Sequence, residues 1–338
     1  MKARIHFTSH SLAHKAMKIT ISTLLLSISL LTVPLTAAQA ADYAVRQTWT
    51  LDQAGRWDYL EVDPVRHRLF MTRGDRVQVL DLPSGKVTGQ IDGLQSAHGV
   101  VLAQKLNLGF ASSGGGNSIV VFDLTTLQTR QEVKVSGANP DALLFDEGSG
   151  KLYAFNGKTN NVSVFDAATM VLKATIAVGG KPEFAVTDGK RIYVNIEDKG
   201  EIAVIDIAGD RQVARWTLNG CEEPTGLALD AAHHRLFSAC QNGVLAITDT
   251  SNGKAVTRAA IGQNSDAVVF DAASATVFSS NGDGTLSVIH QDDADHYAKA
   301  VTLRTEKGAR TMAMDHESGS LYLPTVVDKH FTVIVATP

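Results

Sequence analysis

One internal repeat of 42 residues on average runs through almost the whole sequence and limits the folds open to it. In each copy, a turn leads into a short apolar strand that carries an aromatic residue. Consecutive aromatics are 40, 43, 40, 44, 41 and 44 residues apart. The seven aromatics are Phe70, Phe110, Tyr153, Tyr193, Phe237, Phe278 and Tyr322. A fixed period of this length is typical of solenoids, propellers and repeat arrays.

Two polar markers keep the same period. The first closes the apolar strand that precedes the turn, and it is found at Asp63, Gln104, Asp146, Asp188, Asp230, Asp271 and Asp315. The second ends the strand that follows the aromatic, and it is found at Asp81, Asp123, Asp166, Asp206, Asp249 and His290. Because three markers share one period, we interpret the copies as structural units of similar size.

Each copy predicts four short strands. In the third copy they cover residues 142–145, 151–155, 162–165 and 172–178. Gly, Asn, Asp and Ser turns separate the strands, and no helical period competes with them. Four strands in about 42 residues is the spacing of propeller blades. The sequence therefore predicts an all-β fold, a seven-bladed β-propeller with four-stranded antiparallel blades.

The two ends of the repeat region complement each other. The seventh copy stops after its third strand, residues 331–336, whereas an extra strand, residues 44–51, precedes the first complete copy. A blade assembled from both ends would close the ring and leave no free sheet edge. We therefore predict that the N-terminal strand pairs in the last blade.

The first 40 residues read as a cleaved secretory signal peptide rather than as part of the fold. Four basic residues and no acid lie in residues 1–18, an apolar run covers residues 19–33, and Ala38-Gln39-Ala40 offers a cleavage site near Ala40. The run is too short for a convincing membrane anchor. We expect a periplasmic or secreted protein whose residues 41–338 form one propeller domain.

Charge argues against nucleic acid as a partner. Removal of four basic residues and no acid lowers the formal net charge from −4 to −8. Binding to nucleic acid depends largely on neutralising phosphates with Lys and Arg. No later apolar segment approaches the length of a membrane span. We expect a monomer with no membrane span that binds a small molecule, a metal ion or a protein.

Several short motifs resemble the YVTN-repeat β-propellers related to YncE. The motifs are Trp57-Asp58-Tyr59-Leu60, Asn139-Pro140-Asp141-Ala142, Lys181-Pro182-Glu183-Phe184, Cys221-Glu222-Glu223-Pro224-Thr225-Gly226 and Gly308-Ala309-Arg310-Thr311-Met312-Ala313. The resemblance implies a periplasmic propeller from a largely uncharacterised group. Nucleic-acid binding is attributed to a relative, but this sequence lacks a basic, aromatic-lined groove.

The loops that lead into the innermost strands carry the candidate ligand-binding site. In a propeller these loops meet around one mouth of the central channel. The residue five positions before each first marker gives the set Asp58, Gly99, Asp141, Glu183, Thr225, Asp266 and Arg310. Four of these seven are carboxylates, in a region where only 35 of 298 residues are acidic. Nearby or on the same face lie Arg56, Trp57, His98, Glu222, Glu223, Asn156 and Asn195.

A ring of acids with one His and two Arg suits a cation or a zwitterion. A divalent cation would use His98, Asp141, Glu183 and Glu223 as candidate ligands. Acids crowded at a channel mouth should have raised pKa values unless a cation or the Arg residues compensate. The alternative is that these acids cap strands, pair with Arg56 and Arg310, or face water.

The two cysteines, Cys221 and Cys240, would pair in an oxidising compartment if a curled loop brought them together. Binding of copper or zinc by their thiols is the alternative. Either arrangement would lie next to the Glu222-Glu223 loop of the fifth copy.

Three functions remain open from the sequence. The first is an exported binding or scaffold protein with an acidic ligand or metal site at the channel mouth. The second is a metal-assisted hydrolase, lactonase or lyase with His98 or Glu183 as general base. The third and weakest is nucleic-acid binding. No Ser/His/Asp arrangement has local support, so no catalytic residue is assigned.

Overall fold

The computed structural model describes residues 43–338, together with Met1 and Thr8. The predicted signal peptide, residues 1–40, lies outside the described residues except for those two positions. Residues 44–337 form seven separate sheets of four antiparallel strands each, arranged in a ring. The predicted seven-bladed propeller is therefore confirmed. Among the described residues, no helix is both long enough and apolar enough to span a bilayer.

The first three blades each run outward from an innermost strand. Blade 1 contains β2 (Leu60–Asp63), β3 (Arg68–Arg73), β4 (Arg76–Asp81) and β5 (Val87–Asp92). Blade 2 contains β6 (Ala97–Ala103), β7 (Leu108–Ser113), β8 (Ser118–Asp123) and β9 (Thr129–Lys134). Blade 3 contains β10 (Pro140–Asp146), β11 (Lys151–Asn156), β12 (Asn161–Asp166) and β13 (Leu172–Ala177). A short 3₁₀ helix, Gln104–Leu106, follows β6.

The next three blades repeat this order. Blade 4 contains β14 (Pro182–Thr187), β15 (Arg191–Ile196), β16 (Glu201–Asp206) and β17 (Arg211–Thr217). Blade 5 contains β18 (Pro224–Asp230), β19 (Arg235–Cys240), β20 (Val244–Asp249) and β21 (Ala255–Ala260). Blade 6 contains β22 (Ser265–Asp271), β23 (Thr276–Asn281), β24 (Thr285–His290) and β25 (Val301–Arg304). A second 3₁₀ helix, Glu197–Lys199, follows β15.

Blade 7 joins the two ends of the propeller. It contains β26 (Ala313–Asp315), β27 (Ser320–Val327), β28 (His330–Thr337) and β1 (Ala44–Gln53). Strand β1 is the outermost of the four and pairs antiparallel with β28 from Ala44 opposite Thr337 to Gln53 opposite His330. The structure is consistent with the predicted closure by the N-terminal strand.

The repeat aromatics hold neighbouring blades together. All seven are buried, with exposures between 0% and 4%. Each lies opposite one residue of the innermost strand of its own blade. These opposite residues are Glu61, Val101, Leu144, Val186, Ala228, Val269 and Ala313. Six are aliphatic and Glu61 is the exception, so the inner ring is apolar in every blade but the first.

The Asp markers form tight turns. Asp146, for example, accepts a hydrogen bond from the backbone N–H of Ser149 at 2.8 Å, and Asp123 accepts two from Thr125 and Thr126 at 2.8 Å each. Asp favours such turns because its short side chain can bond the backbone two or three residues later. In blade 2 the equivalent of Asp146 is Ala103 rather than Gln104, since Ala103 pairs with Leu108.

Candidate functional site

A β-bulge interrupts the innermost strand of blades 2 to 6 near its start. The pairing of β10 with β11 skips from Pro140 to Leu143, and that of β6 with β7 skips from Ala97 to Val100. A bulge leaves residues unpaired and re-aims their side chains. Asp141 lies in one such bulge and His98 in another, so His98, not Gly99, is the structural equivalent of Asp141. The count of five residues started one position too late, at Gln104, which belongs to the 3₁₀ helix, instead of at Ala103.

Three side chains from consecutive blades meet at this level of the channel. His98 Nδ1 lies 2.7 Å from Asp58 Oδ2 and 3.7 Å from Asp141 Oδ1. Their ligand atoms all lie within 4.8 Å of one another. His98 Nδ1 faces both carboxylates, so one proton or one cation at that nitrogen would interact with all three side chains.

A single hydroxyl fixes the backbone on both sides of this group. Ser112 Oγ accepts a hydrogen bond from Gly99 N at 2.7 Å and donates one to the carbonyl of Asp141 at 2.6 Å. A Cβ on Gly99 would lie 2.8 Å from that carbonyl and 3.0 Å from Leu143 N. Glycine is therefore required for β6 and β10 to approach closely enough to bring His98 to Asp141.

Two further carboxylates extend the group around the channel. Glu183 Oε1 accepts a hydrogen bond from the Tyr59 hydroxyl at 3.3 Å, and Lys181 Nζ lies 3.3 Å from Glu183 Oε2. That Oε2 is buried and has no hydrogen-bond partner among the described residues. Asp266 is paired with Arg310 Nε at 2.8 Å. We call Asp58, His98, Asp141, Glu183 and Asp266 the acidic mouth.

Three carboxyl groups of the acidic mouth, those of Asp141, Glu183 and Asp266, have raised pKa values. Burial, with the charge of Asp58 added, raises the pKa of Asp141 to about 6 and that of Asp266 to about 7. Burial and the charge of Asp141 raise the pKa of Glu183 well above its ordinary value. For His98 burial acts to lower the pKa, but the hydrogen bond to Asp58 and the charge of Asp141 outweigh it, so the pKa is raised.

These shifts share one cause. More negative charge is gathered in a poorly solvated space than Lys181 and Arg310 neutralise, and Lys181 also pairs with Glu197. Protons held by the carboxyl groups reduce this excess. A bound cation would replace those protons, because it stabilises the ionised carboxylates directly.

Some predicted site residues border the acidic mouth. Arg56 is exposed, and its charge acts on His98. Trp57 packs at the junction of blades 7 and 1, with its ring centroid 5.5 Å from that of Phe331. The indole nitrogen of Trp57 is buried without a hydrogen-bond partner among the described residues. The contacts of Trp57 in this structure are thus with the core between blades 7 and 1.

Glu222 and Glu223 do not join the group that could hold a metal. Both are exposed, and neither has an ion-pair partner within the described part of the chain. Their loop is tied instead by a disulfide between Cys221 and Cys240, with an S–S distance of 2.03 Å and Cα atoms 5.4 Å apart. The metal-ligand group thus contains Asp58, His98 and Asp141, and leaves out the predicted Glu183 and Glu223.

Asn156 and Asn195 were predicted to bind ligand, but they are fully buried between strands. Asn156 donates hydrogen bonds to Asn161 and Ser163 of its own blade, at 2.8 Å each. Asn195 donates to the carbonyl groups of Thr225 and Gly226 in the next blade, at 3.0 Å each. The loop after each second strand does face the channel mouth, but these side chains turn into the sheet layer.

Sequence reasoning gave no role to Lys181 and Tyr59. Lys181 lies two residues before Glu183, and alternation along an extended chain places such residues on the same side. That signal was available in the sequence. Tyr59 depends on contact between blades 1 and 4, which are 124 residues apart in the chain, and no local pattern reports such a contact.

Comparison with known proteins agrees with this fold. No family model matches the chain. A curated relative, the protein described as uncharacterized protein YncE of Salmonella typhimurium, is 28% identical over 199 residues. The match covers 56% of this chain and 55% of the relative, so the chain spans about half the length of that protein. This similarity and the seven-bladed fold are consistent with a YncE-like propeller.

Solved structures with a similar fold include two proteins of low sequence identity to this chain. Hydrazine synthase of Kuenenia stuttgartiensis superimposes with a TM-score of 0.73 at 16% identity, covering 85% of this chain and 97% of that one. U3-55K superimposes with a TM-score of 0.73 at 11% identity, covering 88% and 99%. Such likeness describes the propeller fold alone.

Proposed function

We propose that this YncE-like propeller is an exported binding protein that holds a divalent cation at its acidic mouth. The observation that carries the proposal is the convergence of Asp58, His98 and Asp141 from three blades, with ligand atoms within 4.8 Å of one another. These residues lie 40 and 43 positions apart in sequence, and only the ring brings them together.

The identity of the donor atoms indicates the kind of cation. The group offers one imidazole nitrogen and two carboxylates, a mixture that suits Zn²⁺ or Mn²⁺ better than the all-oxygen sites preferred by Ca²⁺ and Mg²⁺. The buried Oε2 of Glu183, which lies 3.3 Å from Lys181 Nζ, supplies a further carboxyl group close by. Water molecules or a ligand would complete the coordination.

Titration of the purified, metal-stripped protein with Zn²⁺, Mn²⁺ and Ca²⁺ tests this function by calorimetry. We expect saturable binding of Zn²⁺ or Mn²⁺ at one site, and at least about tenfold weaker binding in Asp141→Asn, which keeps the size of the side chain but removes its charge. His233→Ala is the matched control, because His233 forms a similar 2.6 Å pair with Asp230 in the turn between β18 and β19. Equal affinity in wild type and Asp141→Asn would rule out the proposed site.

A metal-assisted hydrolase is the second candidate, favoured by the pKa values of about 6 and 7 for Asp141 and Asp266. General acid–base catalysis works best with groups that titrate near the working pH. The test is whether the wild-type protein cleaves a lactone or an aryl ester in a metal-dependent way. Loss of that cleavage in Asp266→Asn, with metal affinity retained, would establish catalysis. Retention of the cleavage in Asp266→Asn would exclude Asp266 as the acid or base.

Export rests on two independent features. The sequence of residues 1–40 has the charge and apolar pattern of a signal peptide, and the Cys221–Cys240 disulfide suits an oxidising compartment. Mass spectrometry of protein recovered from the producing cell gives the mature N-terminus. We expect it near Ala41, with a cysteine mass that corresponds to the disulfide.

A further inference from the structure

A second cavity lies in the channel beyond the acidic mouth. It has a volume of about 600 Å³ and extends to the turns that join the first and second strands, with Pro64, Ala231 and Glu317 at its rim. This volume lies within the range of small-molecule pockets, about 300–1,000 Å³. We call it the lower cavity.

The walls of the lower cavity are mostly apolar. Phe184, Phe270, Met312 and Met314 are among the lining side chains. Five members of the aliphatic inner ring also line it, namely Leu144, Val186, Ala228, Val269 and Ala313. Aromatic and thioether groups adapt to ligands of varied shape.

Glu61 is the one carboxylate at an inner-ring position. It lies opposite Phe70, where each of the other six blades has an aliphatic residue opposite its own aromatic. Its neighbours Leu60 and Val62 pack into the core shared with blade 7. Alternation along β2 places Glu61 on the other face of the sheet, the face that carries Phe70, and Glu61 lines the lower cavity.

The carboxylate of Glu61 has no ion-pair or hydrogen-bond partner within the described part of the chain. Burial, with the charge of Asp63 added, raises its pKa to about 8. Asp63 itself is paired with Arg66 and Arg68, so those arginines are engaged elsewhere. An aliphatic residue would satisfy the fold at this position, and an unpartnered acid is costly there.

Tyr59 separates the lower cavity from the acidic mouth. Its hydroxyl bonds Glu183 on the mouth side, and the residue also lines the lower cavity. Its ring centroid lies 5.2 Å from that of Phe184. The faces of these rings can attract a cation, because their π-systems are electron-rich.

We propose that the lower cavity binds an apolar molecule that carries a single protonated amine, with Glu61 as its counter-ion. The apolar body would fill the aliphatic and Met-lined wall, and the ammonium group would donate hydrogen bonds to the otherwise unpartnered carboxylate. A metal ion does not suit Glu61, since its inner-ring neighbours are aliphatic and the other lining acids, Asp315 and Glu317, belong to the end of β26 and the turn that follows it. The site is distinct from the proposed cation site at the acidic mouth.

Two probes of the same shape test the proposal, 1-aminoadamantane and its neutral counterpart 1-adamantanol. Their binding to the purified protein is measured by calorimetry and by thermal shift. We expect the amine to bind wild type saturably and to bind Glu61→Gln at least about tenfold more weakly, since an ion pair is removed without change of size. The alcohol should bind both proteins alike, because it depends on the apolar wall.

Three results would overturn the proposal. The first is equal binding of the amine by wild type and Glu61→Gln. The second is an amine affinity that falls in Asp141→Asn but not in Glu61→Gln, which would locate the amine at the acidic mouth. The third is the absence of saturation by the amine at concentrations corresponding to a Kd of about 1 mM. Circular dichroism and the melting temperature of Glu61→Gln establish that the variant is folded.

Discussion

His98 is the residue whose protonation or metal binding sets the net charge of the acidic mouth. Its Nδ1 is the atom that both Asp58 and Asp141 face, at 2.7 and 3.7 Å. A proton there makes two ion pairs, whereas a metal ion there would use the lone pair of the same nitrogen. Proton and metal therefore compete, and binding of a cation should become tighter as the pH rises from 5 to 8.

The pH dependence of metal affinity gives a direct measurement. We expect the Kd for Zn²⁺ or Mn²⁺ to fall across this range, because the raised pKa values of His98 and Asp141 require protons to leave on binding. Calorimetry in two buffers of different ionisation enthalpy counts those protons. A Kd independent of pH, with no proton release, would contradict the role given to His98.

Without a cation, the same carboxyls should weaken the fold as the pH rises. A carboxyl whose folded pKa is raised keeps its proton in the folded chain while the unfolded chain releases it, so stability is lost between pH 4 and the folded pKa of about 7 for Asp266. Asp266→Asn removes this penalty. We expect its metal-free melting temperature at pH 8 to exceed that of wild type by about 2–6 °C, with little difference at pH 4.5. A lower melting temperature at pH 8 would show that the pair with Arg310 stabilises the fold.

Glu61→Leu should complete the aliphatic inner ring and stabilise the protein. A half-buried carboxyl without partners costs about 1–3 kcal/mol, and leucine also buries apolar surface. Urea unfolding should show a higher midpoint with an unchanged slope. Val269→Leu is the matched control, because it enlarges an inner-ring residue without removing an acid. An equal gain in both variants would attribute the effect to size and not to charge.

At the scale of the strand, bonds between blades decide which side chains reach the channel. Side chains of one blade bond backbone carbonyls at the channel mouth of the next blade, as Thr72 does with His98 at 2.8 Å and Thr311 with Asp58 at 3.1 Å. The bulges then point the intervening side chains inward. The site is therefore built by backbone geometry before any ligand arrives.

Ser112→Ala tests this connection. The variant loses the hydroxyl that bridges Gly99 and Asp141, and we expect a stability loss of about 1–3 kcal/mol together with weaker metal binding. Ser238→Ala is the matched control, because Ser238 is equally buried and bonds Asn195 at 3.0 Å away from the three-residue group. If Ser238→Ala weakens metal binding as much as Ser112→Ala, the effect is one of general stability.

Most of the structure at the scale of the strand was predicted from the sequence. Where the predictions differ from the structure, the difference has a physical cause. The repeat of aromatics and Asp turns is local, so strand number and blade count followed from it. In blade 2 the polar residue Gln104 stands one position after the true end of the strand, Ala103, so Gly99 was aligned where His98 belongs. The burial of Asn156 and Asn195 depends on the rotation of the second strand, which the loop position does not reveal.

At the scale of the whole molecule, the ring depends on one strand from the N-terminal side. Strand β1 covers β28, and Trp49 stacks on Tyr322 with ring centroids 5.5 Å apart. Removal of residues 44–53 would expose the edge of β28 and one face of blade 7. We expect a chain that starts at residue 54 to melt at least 10 °C (about 3 kcal/mol or more) below one that starts at residue 43, or to aggregate. Equal melting temperatures would show that the remaining 27 strands close the ring unaided.

The proximity of Ala44 to Thr337 has a practical consequence. Both residues belong to the outer two strands of blade 7, so a linker attached at either end projects from the outer edge of the propeller. A surface-immobilised sensor made from this protein could be anchored there while its central channel stays open to the sample. The same proximity allows the ends to be fused and the chain to be cut at a different hairpin.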